Sequence, residues 1–241
     1  MRKAGNPCTM HIYPKGGHGW GFANWFKHHD QMLGDLKYWL DELKAPREDA
    51  VRVACIGNSI TRDSCIDMAS EFGYPAQLQQ LLGNGYNVHN YGMAGYTMLT
   101  KGDYPYVKSG AWKMARAFEP DVVVIKLGTN DSKAHNWQYG KDFEHDMQAM
   151  IDTLKALPSK PRILLAHPIR IFKEHHGMSD SVLVNAINPV IDKVAKKNKL
   201  EVTDLRLAIT DEKMLVSDGI HPNHNGAKQI AQMVADAIKK K

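Results

Sequence analysis

The strongest constraint on the fold is a regular alternation of short apolar segments with amphipathic segments, which runs from Val51 to the C-terminus. The segments predicted to be strands are Val51–Ile56, Tyr86–Tyr91, Asp121–Leu127, Arg162–His167 and Glu201–Leu205. The segments predicted to be helices are Tyr74–Leu82, Ala111–Phe118, Lys141–Leu157, Val182–Lys197 and Asn225–Lys239. Repeated strand-helix units predict a parallel sheet with helices on both faces. The predicted fold class is therefore α/β, with a five-stranded parallel sheet in a three-layer αβα arrangement.

Residues 1–48 have a different pattern from the rest of the chain. The segment His11–Phe22 is rich in glycine and is predicted to be a loop, whereas Asn24–Leu43 has apolar residues at helical spacing. Pro46 follows, and proline is a typical stop signal for a helix. We therefore predict a loop-helix appendage over residues 1–48 and one α/β domain over residues 49–241.

Composition excludes several classes of function. The chain has 31 basic and 26 acidic residues, a net charge of +5, but no basic stripe interleaved with aromatic residues, so no nucleic-acid partner is predicted. No apolar run reaches the ~18 residues of a membrane-spanning helix, so no membrane partner is predicted. The 12 histidines and 3 cysteines show no recognisable zinc-ligand spacing, and neither a metal nor another cofactor is expected. Cys55 is predicted to lie in a buried strand and Cys65 on a helix.

Glycine-rich and polar segments lie where the predicted strands end. Gly57–Thr61 follows the first strand, Tyr91–Thr97 the second and Gly128–Asp131 the third, while Asp218–Asn223 precedes the last helix. In a doubly wound sheet the carboxyl ends of the strands lie at one edge, where such folds bind their ligands. These four segments are therefore predicted to meet in one site.

Together the four segments contain the groups that acyl transfer requires. A serine hydroxyl becomes a nucleophile when a base takes its proton, and His221 can take the proton of Ser59. Asp218, three residues earlier, can fix the tautomer of that imidazole. The N–H of Ser59, an N–H of the loop Gly92–Gly95 and the amide of Asn130 can stabilise an oxyanion. Each residue alone is a common turn or cap residue, so the prediction depends on their placement at the strand ends.

These segments resemble the sequence blocks that define the SGNH (GDSL-like) hydrolases. The first block usually reads Gly-Asp-Ser and is Gly57-Asn58-Ser59 here, and the others match at Gly95, at Gly128, Asn130 and Asp131, and at Asp218 and His221. The resemblance runs from about Val51 to the C-terminus. It implies a flavodoxin-like sheet, a catalytic triad of Ser59, His221 and Asp218, and an oxyanion hole formed by Ser59, Gly95 and Asn130.

The substrate prediction also comes from this resemblance. The Gly-Asn-Ser variant and the run from Gly128 to Trp137 look like the sialate or carbohydrate O-acetylesterase branch. The flanking loops carry side chains that suit a sugar ring, or equally an ordinary polar surface: Trp137, Tyr139, Arg170, Phe172, His175 and His176. We predict a serine esterase acting on short-chain esters, above all acetyl esters of a carbohydrate, with Asn58, Trp137 and Arg170 binding the substrate.

Two alternative functions stay open at this point. The same triad could serve a lysophospholipase, an arylesterase or a thioesterase, which differ in the acyl chain that they accept. The fold could instead be a catalytically silent glycan-binding module. The complete set of Ser59, Asp218, His221, Gly95 and Asn130 argues against the silent module, because binding alone needs none of that geometry.

The N-terminal segment resembles a different kind of esterase. Its Gly-Gly-His-Gly run, which contains His18, is similar to the C-terminal end of α/β-hydrolase esterases, where the histidine belongs to the triad. The chain has no Gly-x-Ser-x-Gly elbow, so we interpret residues 1–48 as the tail of an upstream α/β-hydrolase domain. No signal peptide is recognised. Such esterase fusions resemble exported glycan-degrading enzymes, which favours a periplasmic or extracellular parent protein.

Overall fold

The computed structural model of the chain describes residues 10–14, 23 and 25–240. The chain divides into two compact units, Met1–Pro46 and Arg47–Lys241, close to the boundary predicted after residue 48. His18 and most of the predicted loop His11–Phe22 lie outside the described residues. The interpretation of residues 1–48 as the tail of another domain stays a hypothesis.

The described part of the first unit contains one helix, α1, over His29–Lys44. The helix begins later than predicted because tight turns precede it: the Phe26 N–H donates to Ala23 O at 3.0 Å, and the His29 N–H donates to Phe26 O at 2.9 Å. The rings of Tyr13, Phe26 and His28 pack together, with each pair of centroids 5.6 Å apart. This aromatic group orders the chain just before α1.

The second unit alternates strands and helices as predicted. The strands are β1 Val51–Gly57, β2 Tyr86–Gly92, β3 Val122–Lys126, β4 Arg162–His167 and β5 Glu201–Asp204. The helices are α2 Ala69–Phe72, α3 Tyr74–Leu82, α4 Gly110–Ala117, α5 Ala134–Trp137, α6 Phe143–Lys155, α7 Asp180–Val182, α8 Asn188–Asn198 and α9 His224–Lys239. The ends of the predicted strands agree with these bounds to within one or two residues. The predicted helices do so as well, except Val182–Lys197, whose α-helical part α8 begins only at Asn188.

The sheet has the order β2-β1-β3-β4-β5, and every pair of neighbouring strands is parallel. This is the flavodoxin-like order, and it confirms the predicted fold class. β2 is added on one side of β1, and the later strands are added on the other side. Such a switch in strand order opens a crevice at the carboxyl ends of β1 and β3. Gly57, the last residue of β1, pairs with Gly92 of β2 and with Lys126 of β3 at this edge.

The two faces of the sheet carry separate apolar cores, because successive strand residues point to opposite sides. Ala54 and Ile56 pack with residues of α4, α6 and α8, whereas Val53 and Cys55 pack with residues of α3 and α9. All four side chains are fully buried. Burial of a valine or isoleucine side chain stabilises a fold by about 1.5–3 kcal/mol, so both layers hold the strands rigidly behind the site.

Two segments differ from the predicted structure. Cys65, predicted to be helical, lies in a loop with φ of 71°, and Asp63 and Met68 also have positive φ, so a right-handed helix cannot run through this segment. The predicted helix Val182–Lys197 contains a π-helical turn over Leu183–Ile187. Pro189 follows this turn and has no N–H to donate one turn back, which accounts for the widened turn.

None of the helices in the described part of the chain combines the length and apolarity that a membrane span requires.

Candidate active site

The turn that contains Ser59, residues 58–64, follows β1 directly and is called the serine turn. A Cβ atom at Gly57 would lie 2.0 Å from the Thr61 Oγ1, so glycine is what lets the chain fold back over the strand end. The Arg62 N–H donates to Asn58 O and the Ser64 N–H to Ser59 O, each at 2.9 Å. These helix-like bonds hold Ser59 at the carboxyl edge of the sheet, where its side chain is largely covered.

The structure brings Ser59, His221 and Asp218 together in one hydrogen-bonded chain. The His221 Nε2 lies 2.8 Å from the Ser59 Oγ, and the His221 Nδ1 lies 2.6 Å from the Asp218 Oδ2. Ser59 and His221 are 162 positions apart in sequence. An imidazole held between a hydroxyl and a carboxylate in this way can accept the hydroxyl proton, because the carboxylate stabilises the resulting imidazolium.

The turn from Asp218 to His221, called the aspartate turn, is held by the side chain of Asp218. The second carboxylate oxygen, Oδ1, accepts the backbone N–H groups of Ile220 at 2.8 Å and of His221 at 2.9 Å. Gly219 has φ of 71°, which glycine adopts without strain. Burial alone would raise the pKa of Asp218, but the hydrogen bonds from His221 and Ile220 outweigh it and lower the pKa below its ordinary value. Asp218 therefore stays a carboxylate.

A neighbouring loop supports this turn from outside. The Phe172 N–H donates to Gly219 O at 2.9 Å. The same loop is held by Asp180, which accepts the Ile171 N–H at 2.8 Å and binds Arg206 through both carboxylate oxygens at 2.9 Å. The aspartate turn is thus fixed both by its own side chain and by an ion-paired loop.

The loop that contains Gly95 is tied to both β1 and β3. The Met93 N–H donates to Gly57 O at 2.9 Å, and the Asn130 Nδ2 donates to Tyr96 O at 3.1 Å. Among the described residues, no hydrogen bond uses the backbone N–H of Ser59 or of Gly95. Both N–H groups therefore remain available as donors to a ligand.

Asp131 connects this loop to the end of β3. It is fully buried and accepts the backbone N–H groups of Met98 at 3.1 Å and Leu99 at 2.8 Å. Burial raises the pKa of Asp131 to about 6, although the hydrogen bonds from Leu99 and Met98 act in the opposite direction. The sequence pattern includes Asp131 in a block but does not predict this positioning contact.

We expect ionisation of Asp131 to lower the stability of the fold as the pH rises from about 4 to about 6. The folded pKa of about 6 exceeds that of an unfolded aspartate, so between the two values only the folded chain keeps the proton. The destabilisation is absent below the unfolded pKa and complete above the folded one. A shift of about 2 units corresponds to about 3 kcal/mol.

Urea unfolding of the wild type and of Asp131→Asn at pH 4 and pH 7 measures this effect. The difference in their free energies of unfolding should move by about 3 kcal/mol in favour of the variant at the higher pH. Asp142→Asn is the control, because a hydrogen bond from Lys101 lowers the pKa of Asp142, and its difference should move in the opposite direction. A constant difference for Asp131→Asn would contradict the expectation.

Lys126 is a site residue that the sequence pattern did not reveal. It lies in the otherwise apolar strand β3, is fully buried, and its Nζ donates to the Asn58 Oδ1 at 2.9 Å. The same oxygen accepts the Ile60 N–H at 3.2 Å, so Lys126 supports the serine turn from below. Burial lowers the pKa of Lys126 well below its ordinary value, while the charge of Asp63 acts against this. A lysine within an apolar strand was the signal that could have indicated it.

The structure corrects the expectation for Asn58. We predicted that this side chain binds substrate, but it is completely buried and its oxygen is occupied by Lys126 and Ile60. It presents no accessible surface to a ligand and holds the serine turn instead.

Trp137 and Arg170 keep their predicted role as an expectation. Trp137 ends α5, with its ring centroid 5.8 Å from that of Phe143 in an edge-to-face contact. Arg170 is exposed, and its guanidinium lies 5.8 Å from the centroid of the Phe172 ring. Among the described residues, no hydrogen bond or ion pair joins either side chain to Ser59, His221 or Asp218.

Comparison with known sequences identifies the family. The model of the GDSL-like lipase/acylhydrolase family matches residues 55–229, which is more than half of the chain. The chain belongs to the GDSL-like lipase/acylhydrolase family. The matched range includes Ser59, His221 and Asp218, and the predicted enzyme class, an ester hydrolase, is confirmed at the level of this family.

One relative aligns with almost the whole length of this GDSL-like chain. An acetylxylan esterase of Xylanibacter ruminicola is 51% identical over 257 aligned positions, covering 99% of this chain but 54% of the relative. The chain therefore spans about half the length of that protein.

Solved structures share the GDSL-like fold. Est24, a carbohydrate acetylesterase from Sinorhizobium meliloti, has a TM-score of 0.65 and 18% identity, and the match covers 78% of this chain and 98% of Est24. The acetyl xylan esterase AlAXEase has a TM-score of 0.63 and 24% identity, with 78% of this chain and all of that chain covered. At these identities the likeness confirms the fold.

Proposed function

We propose that this chain hydrolyses acetyl esters of a carbohydrate through an acyl-enzyme formed on Ser59. The observation that carries the proposal is the hydrogen-bonded chain from Asp218 through His221 to Ser59, in a member of a family of acylhydrolases. This arrangement has no evident use in binding alone, because a glycan-binding surface needs no carboxylate hydrogen-bonded behind a histidine. The hydrogen bonds between Asp218, His221 and Ser59 therefore favour an enzyme over the silent module.

In the first half of the reaction, His221 Nε2 accepts the proton of the Ser59 hydroxyl as the oxygen attacks the acetyl carbonyl carbon. The distance of 2.8 Å between these atoms is already that of a hydrogen bond. Asp218 stabilises the imidazolium, since its Oδ2 lies 2.6 Å from the Nδ1. The sugar oxygen then leaves with the proton from His221, and the acetyl group stays on Ser59.

In the second half, His221 takes a proton from water as the water oxygen attacks the acetyl-serine. The bond to the Ser59 oxygen then breaks, acetate leaves, and His221 returns its proton to Ser59. Both tetrahedral intermediates carry a negative oxygen that needs preorganised donors. We assign this role to the free N–H groups of Ser59 and Gly95 and to the Asn130 amide. The bond from Asn130 to Tyr96 O uses one hydrogen of that amide and leaves the other for the ligand.

The proposed substrate class comes from the relative and from the side chains on the loops that follow β3 and β4. The Xylanibacter ruminicola relative is named an acetylxylan esterase, and half of the residues that align are identical to those of this chain. An acetyl group is small, and a carbohydrate needs aromatic and hydrogen-bonding side chains around the ester. Trp137 and Arg170, on the loops that follow β3 and β4, are our candidates for those contacts.

Acetate release from acetylated xylan and from nitrophenyl esters of increasing chain length tests this proposal. We expect turnover of acetylated xylan and of 4-nitrophenyl acetate, with kcat/KM falling as the acyl chain lengthens. Hydrolysis of nitrophenyl esters without release of acetate from xylan would overturn the carbohydrate assignment. A preference for octanoyl over acetyl esters would favour the lysophospholipase or thioesterase alternative, and no hydrolysis of any ester would favour the silent module.

We also propose that residues 1–48 derive from an upstream domain. The alignment with the Xylanibacter ruminicola relative covers 99% of this chain, so it includes nearly all of this segment, and the relative is about twice as long. The division of the chain into the compact units Met1–Pro46 and Arg47–Lys241 supports a different origin for the first unit.

A further inference from the structure

We propose that Cys65, His221 and Asp218 bind a thiophilic divalent cation such as Zn²⁺, and that the bound ion inhibits the enzyme. The inhibition rests on the function proposed above, whereas the binding does not. The sequence predicts no metal in catalysis, and the proposal agrees with that, because the ion here blocks the reaction.

The geometry of the three side chains carries the proposal. The Cys65 Sγ, a ring nitrogen of His221 and a carboxylate oxygen of Asp218 all lie within 4.8 Å of one another. In the part of the chain that the structure describes, this is the only group of three or more such side chains that could hold a metal ion. Cys65 comes from the loop after β1 and the other two from the turn before α9.

The donor set selects the kind of ion. One thiolate, one imidazole and one carboxylate are typical ligands of zinc, with a fourth position left for water, whereas Mg²⁺ and Ca²⁺ prefer oxygen alone. A thiolate and a carboxylate together also neutralise the two positive charges of the ion. On binding, the Cys65 thiol releases its proton to solvent.

A small movement closes the site. Zinc bonds of about 2.0–2.3 Å in a tetrahedron place the ligand atoms about 3.3–3.6 Å apart. The three ligand atoms lie within 4.8 Å of one another, so the thiol approaches the other two by up to about 1 Å. The Asp218 Oδ2 and the His221 Nδ1, now 2.6 Å apart, move slightly apart if both bind the ion. Asp218 and His221 are held by the hydrogen bonds of their turn, but Cys65 is exposed and its side chain can rotate. The larger movement therefore falls on the thiol.

An ion can reach this group from solvent. A surface cavity of about 290 Å³ lies beside the thiol and is lined by Cys65, Asp67, Asn223, His224 and Asn225. The carboxylate of Asp67 attracts cations to this opening. Cys55 does not compete, because it is fully buried and burial raises the pKa of its thiol to about 12.

Binding would remove the base from the reaction. Both ring nitrogens of His221 already have partners, the Nε2 with Ser59 and the Nδ1 with Asp218. A metal ion can bind either nitrogen only by displacing one of these hydrogen bonds. A metal-bound imidazole can no longer take the Ser59 proton, so hydrolysis stops.

The first measurement is binding to the resting protein, in metal-free buffer. Cd²⁺ titrations followed by the ultraviolet charge-transfer band of the thiolate, and Zn²⁺ titrations by calorimetry, should show one equivalent bound to the wild type. Cys65→Ser and Cys65→Ala should lose the band and bind Zn²⁺ at least about tenfold more weakly. Cys8→Ser, which also removes one thiol, should bind like the wild type.

The second measurement is hydrolysis of 4-nitrophenyl acetate across the same Zn²⁺ range. The wild type and Cys8→Ser should be inhibited and recover with EDTA, while Cys65→Ser should remain active. Equal inhibition of Cys65→Ser, or loss of binding in His224→Ala, which would place the ion in the outer cavity, overturns the proposal. A metal-free wild type without esterase activity contradicts the proposed function and leaves the binding result to decide the metal site.

Discussion

Replacing Ser59 with alanine is expected to lower kcat for 4-nitrophenyl acetate by about 10⁶-fold, the loss found when a serine nucleophile is removed elsewhere. No other described hydroxyl donates to the His221 Nε2, so the variant has no nucleophile that can take over the acyl group. The free energy of unfolding should change by only about 1 kcal/mol, because one buried hydroxyl and its single hydrogen bond to His221 are removed. Steady-state kinetics and urea unfolding of the purified variant measure both quantities.

Ser64→Ala is the matched control for this experiment. Ser64 belongs to the same turn and its N–H donates to Ser59 O, but among the described residues no hydrogen bond joins its hydroxyl to His221. Its kcat should stay within a few-fold of the wild type. If Ser59→Ala kept its activity and His18→Ala removed it, the N-terminal segment would contain the working histidine, and the assignment of Ser59 would be wrong.

Asp218→Asn is expected to lower kcat by about 10⁴-fold with KM nearly unchanged, as when the triad carboxylate is replaced by an amide in other serine hydrolases. The hydrogen bonds of the turn determine how the amide is oriented. The N–H groups of Ile220 and His221 need an acceptor at the Oδ1 position, so the amide oxygen must occupy it. The amide NH₂ then faces the His221 Nδ1 and requires the tautomer with its proton on Nε2, which cannot accept a proton from Ser59.

The control for Asp218→Asn is Asp204→Asn, which alters a second aspartate beside a histidine. The Asp204 carboxylate lies 3.3 Å from the His167 Nδ1 at the ends of β4 and β5, away from the serine turn. This variant should keep kcat within a few-fold of the wild type. A loss of less than tenfold in Asp218→Asn would show that the carboxylate does not select the tautomer of His221.

Much of the fold could be predicted because its signals are local. The strand β3 is apolar apart from Lys126 at its end, which suits a strand covered on both faces, and α9 has an apolar face at helical spacing. The exceptions are also instructive. The wide turn before Pro189 follows from the missing N–H of that proline, a signal that the helical spacing alone does not show. The positive φ of Cys65 depends on how its loop packs, which no propensity of a single residue specifies.

By itself, the sequence determined the order of strands and helices. Because parallel strands place their carboxyl ends together, this order also determined the sheet edge of the site. The site residues expected at that edge were Ser59, Gly95, Asn130 and His221. It also determined the contact between Asp218 and His221, since three residues of chain form one turn.

Only the tertiary structure decided which polar residues face the ligand and which support the site from inside. The distance of 2.8 Å between Ser59 and His221, the burial of Lys126 under Asn58 and the position of the Cys65 thiol near Asp218 each join distant segments. Such contacts depend on how helices and loops pack on the sheet. They are set by the balance of apolar burial and hydrogen bonding over the whole domain, which no local pattern contains.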